Sequence, residues 1–281
     1  EVLGDFRPDV IFLDPARRAS DGRKVFRLED CQPDVLQLLP ELLAACPHVL
    51  LKLSPMADIT LVCKQLACVK EVHVVAAEGE CKELLLLLER DYDGPYSLTV
   101  YENGYTIAVD GEREGDNPKS MATLGHVRGR GPEAALGERS AMGGAGAKRR
   151  RLGDVTLPLA GAYLFEPGKG LLKAGAFELP CRYGLEKLGR HTHLYVGEEV
   201  PEALRPFGKC FRVLESAPLD KRSIKDIGTR YPKADVTARN IPLTSDQLRK
   251  KLGVADGAPV HIFGLHIDAL SAHYLLVCTS A

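Results

Sequence analysis

The clearest pattern in the first third of the chain is a series of short apolar runs without polar alternation. Such runs are typical of strands that are buried on both faces of a parallel sheet. They fall at Val10–Leu13, His48–Leu53, 69–76 and 84–88. Between them, apolar residues at helical spacing predict helices over 34–43 and 57–68. This alternation predicts an α/β sheet.

The last of these runs returns to the sheet in the opposite direction. Only a short turn around Gly79 and Glu80 separates run 69–76 from run 84–88. A parallel connection needs a crossover of a dozen or more residues, so these two strands are predicted to pair antiparallel.

The rest of the chain predicts smaller α+β units. Asn103-Gly104 between two β-rich runs indicates a hairpin. Residues from about 110 to 158 have no period and are expected to form a flexible insert that includes a basic run at 148–151. Beyond it the pattern predicts strand 163–167, helix 169–188 and strand 193–196. The final stretch predicts strands and helices at 211–214, 224–231, 235–239, 245–252, 260–265 and 274–278.

Composition narrows the function classes. The 281 residues carry a formal net charge of −1, so any attraction to nucleic acid has to come from a local patch. The eight cysteines include no CxxC pair and no His/Cys pair at zinc-ligand spacing, so we predict reduced thiols, no metal and a cytoplasmic protein. No signal peptide or membrane-spanning run is evident, and no membrane association is expected.

A candidate site follows the first apolar run. Pro15 cannot donate to a strand ladder, so the strand should stop at Asp14. Open α/β sheets bind ligands just beyond the carboxyl ends of their strands, which is where Asp14 and Arg17 would lie. The alternative is that Asp14 only caps the next turn.

These residues carry a resemblance. The series Val10-Ile11-Phe12-Leu13-Asp14-Pro15-Ala16-Arg17-Arg18 resembles motif IV of class I S-adenosylmethionine-dependent methyltransferases, in which Asp or Asn followed by Pro ends the fourth strand. Further segments follow in order: Gly22-Arg23-Lys24-Val25-Phe26, Leu28-Glu29-Asp30, Leu51-Lys52-Leu53-Ser54-Pro55 and Gly79-Glu80-Cys81-Lys82-Glu83-Leu84. Together they are similar to an uncharacterised bacterial group of methyltransferase-like proteins with a ferredoxin-like middle domain and a C-terminal THUMP-like domain.

The resemblance implies a fold and a division into domains. Residues 1–94 would form the C-terminal half of a Rossmann-like methyltransferase sheet. Residues 95–205 would form a ferredoxin-like α+β domain containing the insert at about 110–158, and residues 206–281 a THUMP-like domain. The glycine-rich segments at 129–131 and 143–146 follow no predicted strand, so the cofactor-binding half is expected to lie outside this chain.

Two consequences follow for cofactor and association. S-adenosylmethionine is expected to bind only together with the missing N-terminal half. The strand at Val10–Leu13 should then lie at a sheet edge without its neighbour, and an exposed apolar edge favours self-association.

The resemblance also implies roles at the strand ends. Asp14 would accept a hydrogen bond from a substrate amine, and Pro15 would hold the strand end rigid. Arg17 stands where related enzymes place an aromatic residue that stacks on a base, and Arg17 and Arg18 would neutralise phosphate. Lys52 and Ser54 would line the neighbouring strand end.

Two further observations concern the reaction and the pocket rim. Carbon-5 of uracil requires a thiolate nucleophile, and this chain has Leu53-Ser54 at the position concerned, which argues against that reaction. Glu80, beside Glu78 and Cys81, is either a lip of the substrate pocket or an ordinary polar turn.

RNA is the partner that the THUMP-like resemblance implies. Arg239, Arg249, Lys250 and Lys251 are the predicted RNA contacts, with Lys221, Arg222 and Lys225 nearby in sequence. A solvated helix surface explains the same residues equally well. The function predicted is an RNA methyltransferase-like protein. The alternatives are a non-catalytic RNA-binding or adaptor protein, and a small-molecule methyltransferase with appended domains.

Overall fold

The computed structural model describes residues 7–17, 28–109, 128–129 and 159–281. These residues form two compact units. The first contains the described residues before position 134 together with Lys169–Ala176, and the second contains the remaining residues from 159 to 281. The predicted flexible insert at about 110–158 lies almost entirely outside the described residues.

The first unit is built on one mixed sheet. Its longer strands are β1 (Val10–Leu13), β2 (His48–Leu53), β3 (Val69–Ala77), β4 (Glu80–Glu89), β5 (Ser97–Glu102) and β6 (Tyr105–Val109), and its helices are α1 (Val35–Ala45), α2 (Ile59–Gln65) and α3 (Lys169–Lys173). The spatial order is β1-β2-β4-β3-β5-β6, and the short strand Arg128–Gly129 pairs with β6.

Strand direction within this sheet follows the predicted pattern. β1 pairs parallel with β2, whereas β4 runs antiparallel between β2 and β3. The turn before β4 contains Glu78 and Gly79, both with positive φ, which closes the connection in two residues. The predicted antiparallel return is therefore confirmed, and so is the α/β fold class for this part of the chain.

β1 lies at one edge of the sheet among the described residues. Its side chains alternate between exposed and half-buried, with Val10 52% and Phe12 58% exposed. The expectation that this run is buried on both faces is wrong in this structure, because Val10 and Phe12 point to one face of the sheet, which the described residues leave exposed at β1. The expectation of an apolar edge strand is confirmed.

The hairpin of β5 and β6 belongs to the same sheet. Asn103 and Gly104 both have positive φ, as a two-residue hairpin turn requires. β5 pairs parallel with β3, from Glu71 opposite Ser97 to Ala76 opposite Glu102. The hairpin was predicted to belong to the middle domain, and this pairing instead attaches it to the sheet of the first unit. The three-domain division as a whole stays a prediction.

The predicted helix 169–188 is wrong. Only α3 and a short helix α4 (Leu179–Arg182) form within that range. Gly175 and Gly184 have φ values of +67° and +91°, which end each helical turn soon after it starts.

The second unit contains one seven-stranded sheet. Its strands are β7 (Tyr163–Pro167), β8 (Glu186–Lys187), β9 (Tyr195–Gly197), β10 (Gly208–Pro218), β11 (Lys233–Arg239), β12 (Ala255–Ile267) and β13 (Ala272–Ser280), in the order β8-β9-β7-β10-β13-β12-β11. Helices α5 (Lys221–Arg230) and α6 (Ser245–Leu252) complete it. Only β11 and β12 pair parallel.

The two faces of this sheet bury separate cores. One core forms around Phe211, Phe263 and Leu276, and the other packs Ile227 of α5 and Leu248 of α6 against Ile262. Both ends of α6 are capped, since Thr244 and Gln247 form a capping box and Gly253 adopts the left-handed conformation. None of the helices in the described ranges is both long and apolar enough to cross a bilayer.

Candidate functional site

The candidate site lies where three neighbouring strands of the first sheet meet. Asp14 follows the end of β1, Lys52 lies on β2, and Glu83 lies near the start of the antiparallel strand β4. The Lys52 Nζ atom lies 2.8 Å from Asp14 Oδ2 and 3.4 Å from Glu83 Oε1. The Lys52 ammonium group therefore contacts two carboxylates, one from each of the strands that flank β2.

A small pocket of about 210 Å³ opens at this point. Its walls are formed by Asp14, Pro15, Lys52, Leu53, Ser54, Pro55, Lys82 and Glu83. The prediction that Asp14 and Lys52 share one strand-end site agrees with this arrangement, and Pro15 and Ser54 line the same pocket. The chemical roles assigned to these residues stay predictions.

Lys52 is held in its charged form. The hydrogen bond that it donates to Asp14 is the main cause that raises its pKa, and its partial desolvation opposes this effect. The carboxylate of Asp14 is about half exposed. Asp14 can therefore accept a further hydrogen bond from a ligand while Lys52 balances its charge.

Glu83 and Lys82 were not predicted as site residues. The antiparallel pairing of β2 with β4, which places Leu53 opposite Leu84, brings Glu83 beside the end of β2. The sequence predicted only the pairing of β3 with β4, and no local signal indicated that β2 also pairs with β4 and so brings Glu83 to this site.

Glu80 lies at the rim rather than in the wall of this pocket. Its carboxylate accepts a hydrogen bond from Lys82 at 2.9 Å, and this bond lowers the pKa of Glu80. Glu78, which is 3.8 Å from the same ammonium, completes a surface charge cluster. The choice between a pocket lip and a polar turn for Glu80 stays open.

Ser54 belongs to a tight turn after β2. The Met56 backbone N–H donates to Ser54 Oγ at 3.2 Å, and the Ala57 N–H donates to the Ser54 carbonyl at 3.0 Å. Asp58 then caps α2 by accepting from the Leu61 N–H. The Ser54 oxygen therefore accepts a hydrogen bond within its own turn, and the argument that Ser54 is not a nucleophile stays a prediction.

Of the two arginines that follow Asp14, the structure describes only Arg17. Arg17 lies in a two-residue strand that pairs with Cys31–Gln32, just beyond the end of β1. Arg18 lies outside the described residues. Across the described part of the chain, no group of three or more His, Cys, Asp or Glu side chains could hold a metal ion.

The predicted RNA contacts in the second unit do not form one patch. Arg239 donates to Glu166 at 2.6 Å, and Arg249 is paired with Asp246 and Asp256 at 2.7 and 2.8 Å. The charges of both arginines are thus balanced within the protein. Lys250 is exposed on α6, and Lys251 faces a groove between α5 and α6.

This groove carries a different set of basic residues, which we call the lysine groove. It has a volume of about 480 Å³ and is lined by Lys221, Ile224, Lys225, Gly228, Thr229, Lys251, Leu252 and Gly253. A side chain on Gly228 would place its Cβ atom 1.9 Å from the Leu252 carbonyl oxygen, so the glycine allows α5 to approach the end of α6. The three lysines are thereby brought around one opening.

The fold and the site together resemble those of methyltransferase-like proteins. An antiparallel strand between the second and third strands of an otherwise parallel series is the second half of a methyltransferase sheet, and Asp14-Pro15 ends its first strand. The comparisons with known proteins agree. Residues 163–204 match a ferredoxin-like domain and residues 208–280 match a THUMP domain-like family.

Proteins that are similar to this chain are named as methyltransferases. An uncharacterised S-adenosylmethionine-dependent methyltransferase of Mycobacterium tuberculosis, found in strains CDC 1551 and H37Rv, is 24% identical over 272 residues. The match covers 96% of this chain and 63% of the relative. A crystal structure of a candidate methyltransferase from Porphyromonas gingivalis W83 superposes with a TM-score of 0.71 at 28% identity, covering 100% of this chain and 61% of the other.

The predicted resemblance to methyltransferase-like proteins with ferredoxin-like and THUMP-like domains is thus confirmed. The chain spans less than two thirds of the length of these relatives.

Proposed function

We propose that the full-length protein transfers a methyl group from S-adenosylmethionine to a nitrogen atom of an RNA base. The observation that carries this proposal is the position of Asp14, which lies at the carboxyl end of β1 with its carboxylate fixed by Lys52 at 2.8 Å. Support also comes from the relatives, which are named as methyltransferases, and from the THUMP-like match.

In this proposal the described pocket receives the acceptor nitrogen. An exocyclic amine donates a hydrogen bond to the exposed oxygen of Asp14, which orients the nitrogen lone pair. Lys52 holds that carboxylate in place through the hydrogen bond that it donates to Oδ2. Glu83 holds Lys52 from the other side and so limits its rotation.

The pocket does not fit the methyl donor itself. Its volume of about 210 Å³ is below the roughly 300 Å³ at which pockets for drug-sized ligands begin. We therefore assign only the acceptor side to this pocket, and we propose that a strand of the full-length protein pairs with the free edge of β1 and belongs to the cofactor side.

The proposal is tested with the full-length protein, radiolabelled S-adenosylmethionine and total RNA from an organism that lacks the gene. We expect label in RNA from the wild type and none from Asp14→Ala, with unchanged melting temperatures. Glu41→Gln, an exposed position on α1, is the matched control and should retain full transfer. Unfolding of Asp14→Ala would support the capping role of Asp14 instead.

The proposal that RNA is the methyl acceptor depends on a second feature, the lysine groove. Lys221, Lys225 and Lys251 surround it, and no carboxylate of the described residues forms an ion pair with any of the three. Three free ammonium groups around one opening suit the phosphates of a single strand. We propose this groove, rather than the ion-paired Arg239 and Arg249, as the main RNA contact of the second unit.

The competing proposal is a non-catalytic RNA-binding or adaptor protein. The specific observation in its favour is that Lys52 already occupies one oxygen of Asp14. RNA binding without methyl transfer by the full-length protein would support this alternative. Transfer to a small amine without RNA binding would support a small-molecule enzyme.

A further inference from the structure

The helix α3 lies inside the sequence range that matches the ferredoxin-like domain, but it packs in the first unit. Residues 163–204 carry that match, whereas Lys169–Ala176 cluster with the first sheet. α3 contacts β3, β4 and β5 there. A helix that interrupts its own domain to pack on another sheet requires a local reason.

Gly170 provides the close approach. A Cβ atom at this position would lie 2.6 Å from Val100 Cγ1 and 3.0 Å from Glu102 Oε2, so no other residue fits without displacement. The backbone of Gly170 therefore lies directly against the buried carboxylate of Glu102. The start of α3 is thereby fixed against the carboxyl end of β5.

Lys173, at the other end of α3, reaches the loop that follows β2. Its Nζ atom donates to the carbonyl oxygen of Ala57 at 2.5 Å. Ala57 is fully buried, and its own N–H closes the Ser54 turn. The same turn supplies Ser54 and Pro55 to the wall of the Asp14 pocket.

We propose that Lys173 is a positioning residue for the Asp14 pocket. It holds the 54–58 loop through the Ala57 carbonyl, and the loop in turn holds one wall of the pocket. The effect on turnover rests on the proposed function, whereas the effect on the loop does not.

The hydrogen bond from Lys173 to Ala57 is half-buried, and its donor is charged. The loss of such a bond destabilises a structure more than the loss of a bond between neutral groups. A loop that depends on it should open more often once it is removed. Lys173→Met keeps the aliphatic part of the side chain and removes only the donor, so the packing of α3 is retained.

The experiment is peptide-resolved hydrogen exchange on the full-length protein. In Lys173→Met we expect the amides of Met56 and Ala57 to exchange roughly tenfold faster, with β3 and β5 unchanged. Lys169→Met is the matched control, because Lys169 is an exposed lysine on the same helix, and it should exchange like the wild type. Lys173→Arg restores a donor and should restore protection.

Methyl transfer provides the second readout. We expect kcat of Lys173→Met to fall roughly tenfold while the KM for the methyl donor stays the same, because the pocket wall is loosened on the acceptor side only. Equal protection of Met56 and Ala57 in wild type and Lys173→Met would overturn the proposal. So would a loss of protection that spreads to β3 and β5, since Lys173 would then support the fold in general.

Different results would contradict the proposed methyltransferase function and the proposed role of Lys173. Faster loop exchange in a protein that transfers no methyl group would leave Lys173 as the residue that holds the loop and would remove the methyltransferase function. Normal loop exchange in an active enzyme would remove the role of Lys173 alone.

Discussion

The Lys52 ammonium and the Asp14 carboxylate lie 2.8 Å apart and join the ends of two neighbouring parallel strands. Both residues are partly exposed, so solvent screens their attraction and the pair contributes little to folding. Its value is geometric, because it fixes the direction of a carboxylate at the place where α/β sheets bind ligands.

The first prediction follows from this pair. Lys52→Met in the full-length protein should lower the kcat/KM of methyl transfer by at least about tenfold, because Asp14 loses the group that orients it. The melting temperature should hardly change. Lys70→Met is the matched control, since Lys70 forms a partly exposed ion pair with Glu89 away from the pocket. Equal losses of activity in both variants would contradict a local role for Lys52.

The second prediction concerns the free edge of β1. Val10 and Phe12 are both more than half exposed, and among the described residues their strand is paired on one side only. Such edges pair with other chains. We expect the chain of residues 1–281 to self-associate, and Phe12→Lys to shift it toward monomer in sedimentation velocity experiments. Leu61→Lys, on the exposed face of α2, is the control and should leave association unchanged. A monomeric wild type at high concentration would rule out this edge as an interface.

The third prediction tests the lysine groove. For single-stranded RNA each neutralised phosphate contributes about −0.7 to the slope of log affinity against log salt, so three lysines predict a slope near −2. The double substitution Lys221→Gln and Lys225→Gln should flatten this slope by about 1.4. Filter-binding measurements over a range of salt concentrations give both values.

The matched control for the groove removes two exposed lysines elsewhere in the same unit. Lys209→Gln with Lys233→Gln changes the net charge equally but lies outside the groove, and it should keep the wild-type slope. Equal flattening in both double variants would show a diffuse charge effect. Binding that ignores salt would instead favour a protein-binding role for this unit.

The fourth prediction concerns Glu102, a nearly fully buried carboxylate with one oxygen that has no hydrogen-bond partner. Burial is the main cause that raises its pKa, and the Gly170 N–H opposes this. Because the pKa of Glu102 is raised in the folded protein, protonation of Glu102 stabilises the fold at low pH. This stabilisation is lost as the pH rises through the folded-state pKa.

Glu102→Gln resembles the protonated acid and should remove that pH dependence. We expect the variant to exceed the wild type in free energy of unfolding by on the order of 1 kcal/mol at pH 8, with the difference closing near pH 4. Urea denaturation at several pH values measures this. The control Glu41→Gln should show no such trend. A variant less stable than the wild type at pH 8 would show that the ionised carboxylate is required.

Much of the architecture was predictable because the signals are local. Pro15 ends β1, Asn103-Gly104 forms the hairpin turn, and Thr244 with Gly253 sets the ends of α6. Each of these depends on the conformational limits of one or two residues. The short turn at Gly79 also fixed the antiparallel pairing of β4, and with it the methyltransferase-like half sheet.

The predictions that were wrong or incomplete depended on distant partners. Helix 169–188 breaks at Gly175 and Gly184, and α3 leaves its sequence neighbours because Gly170 fits closely beside Val100 and Glu102. Periodicity over a window of residues cannot reveal such a contact, because the partner lies about 70 positions away.

The chemistry divides in the same way. The sequence by itself determined that Asp14, Lys52 and Ser54 stand at strand ends, because strand boundaries follow from local composition. Only the tertiary structure decided that Lys52 bonds to Asp14, that Arg239 and Arg249 are balanced by carboxylates, and that Lys221, Lys225 and Lys251 surround one groove. Ion pairs and grooves depend on distances of a few ångströms between residues far apart in the chain, and those distances are set by packing.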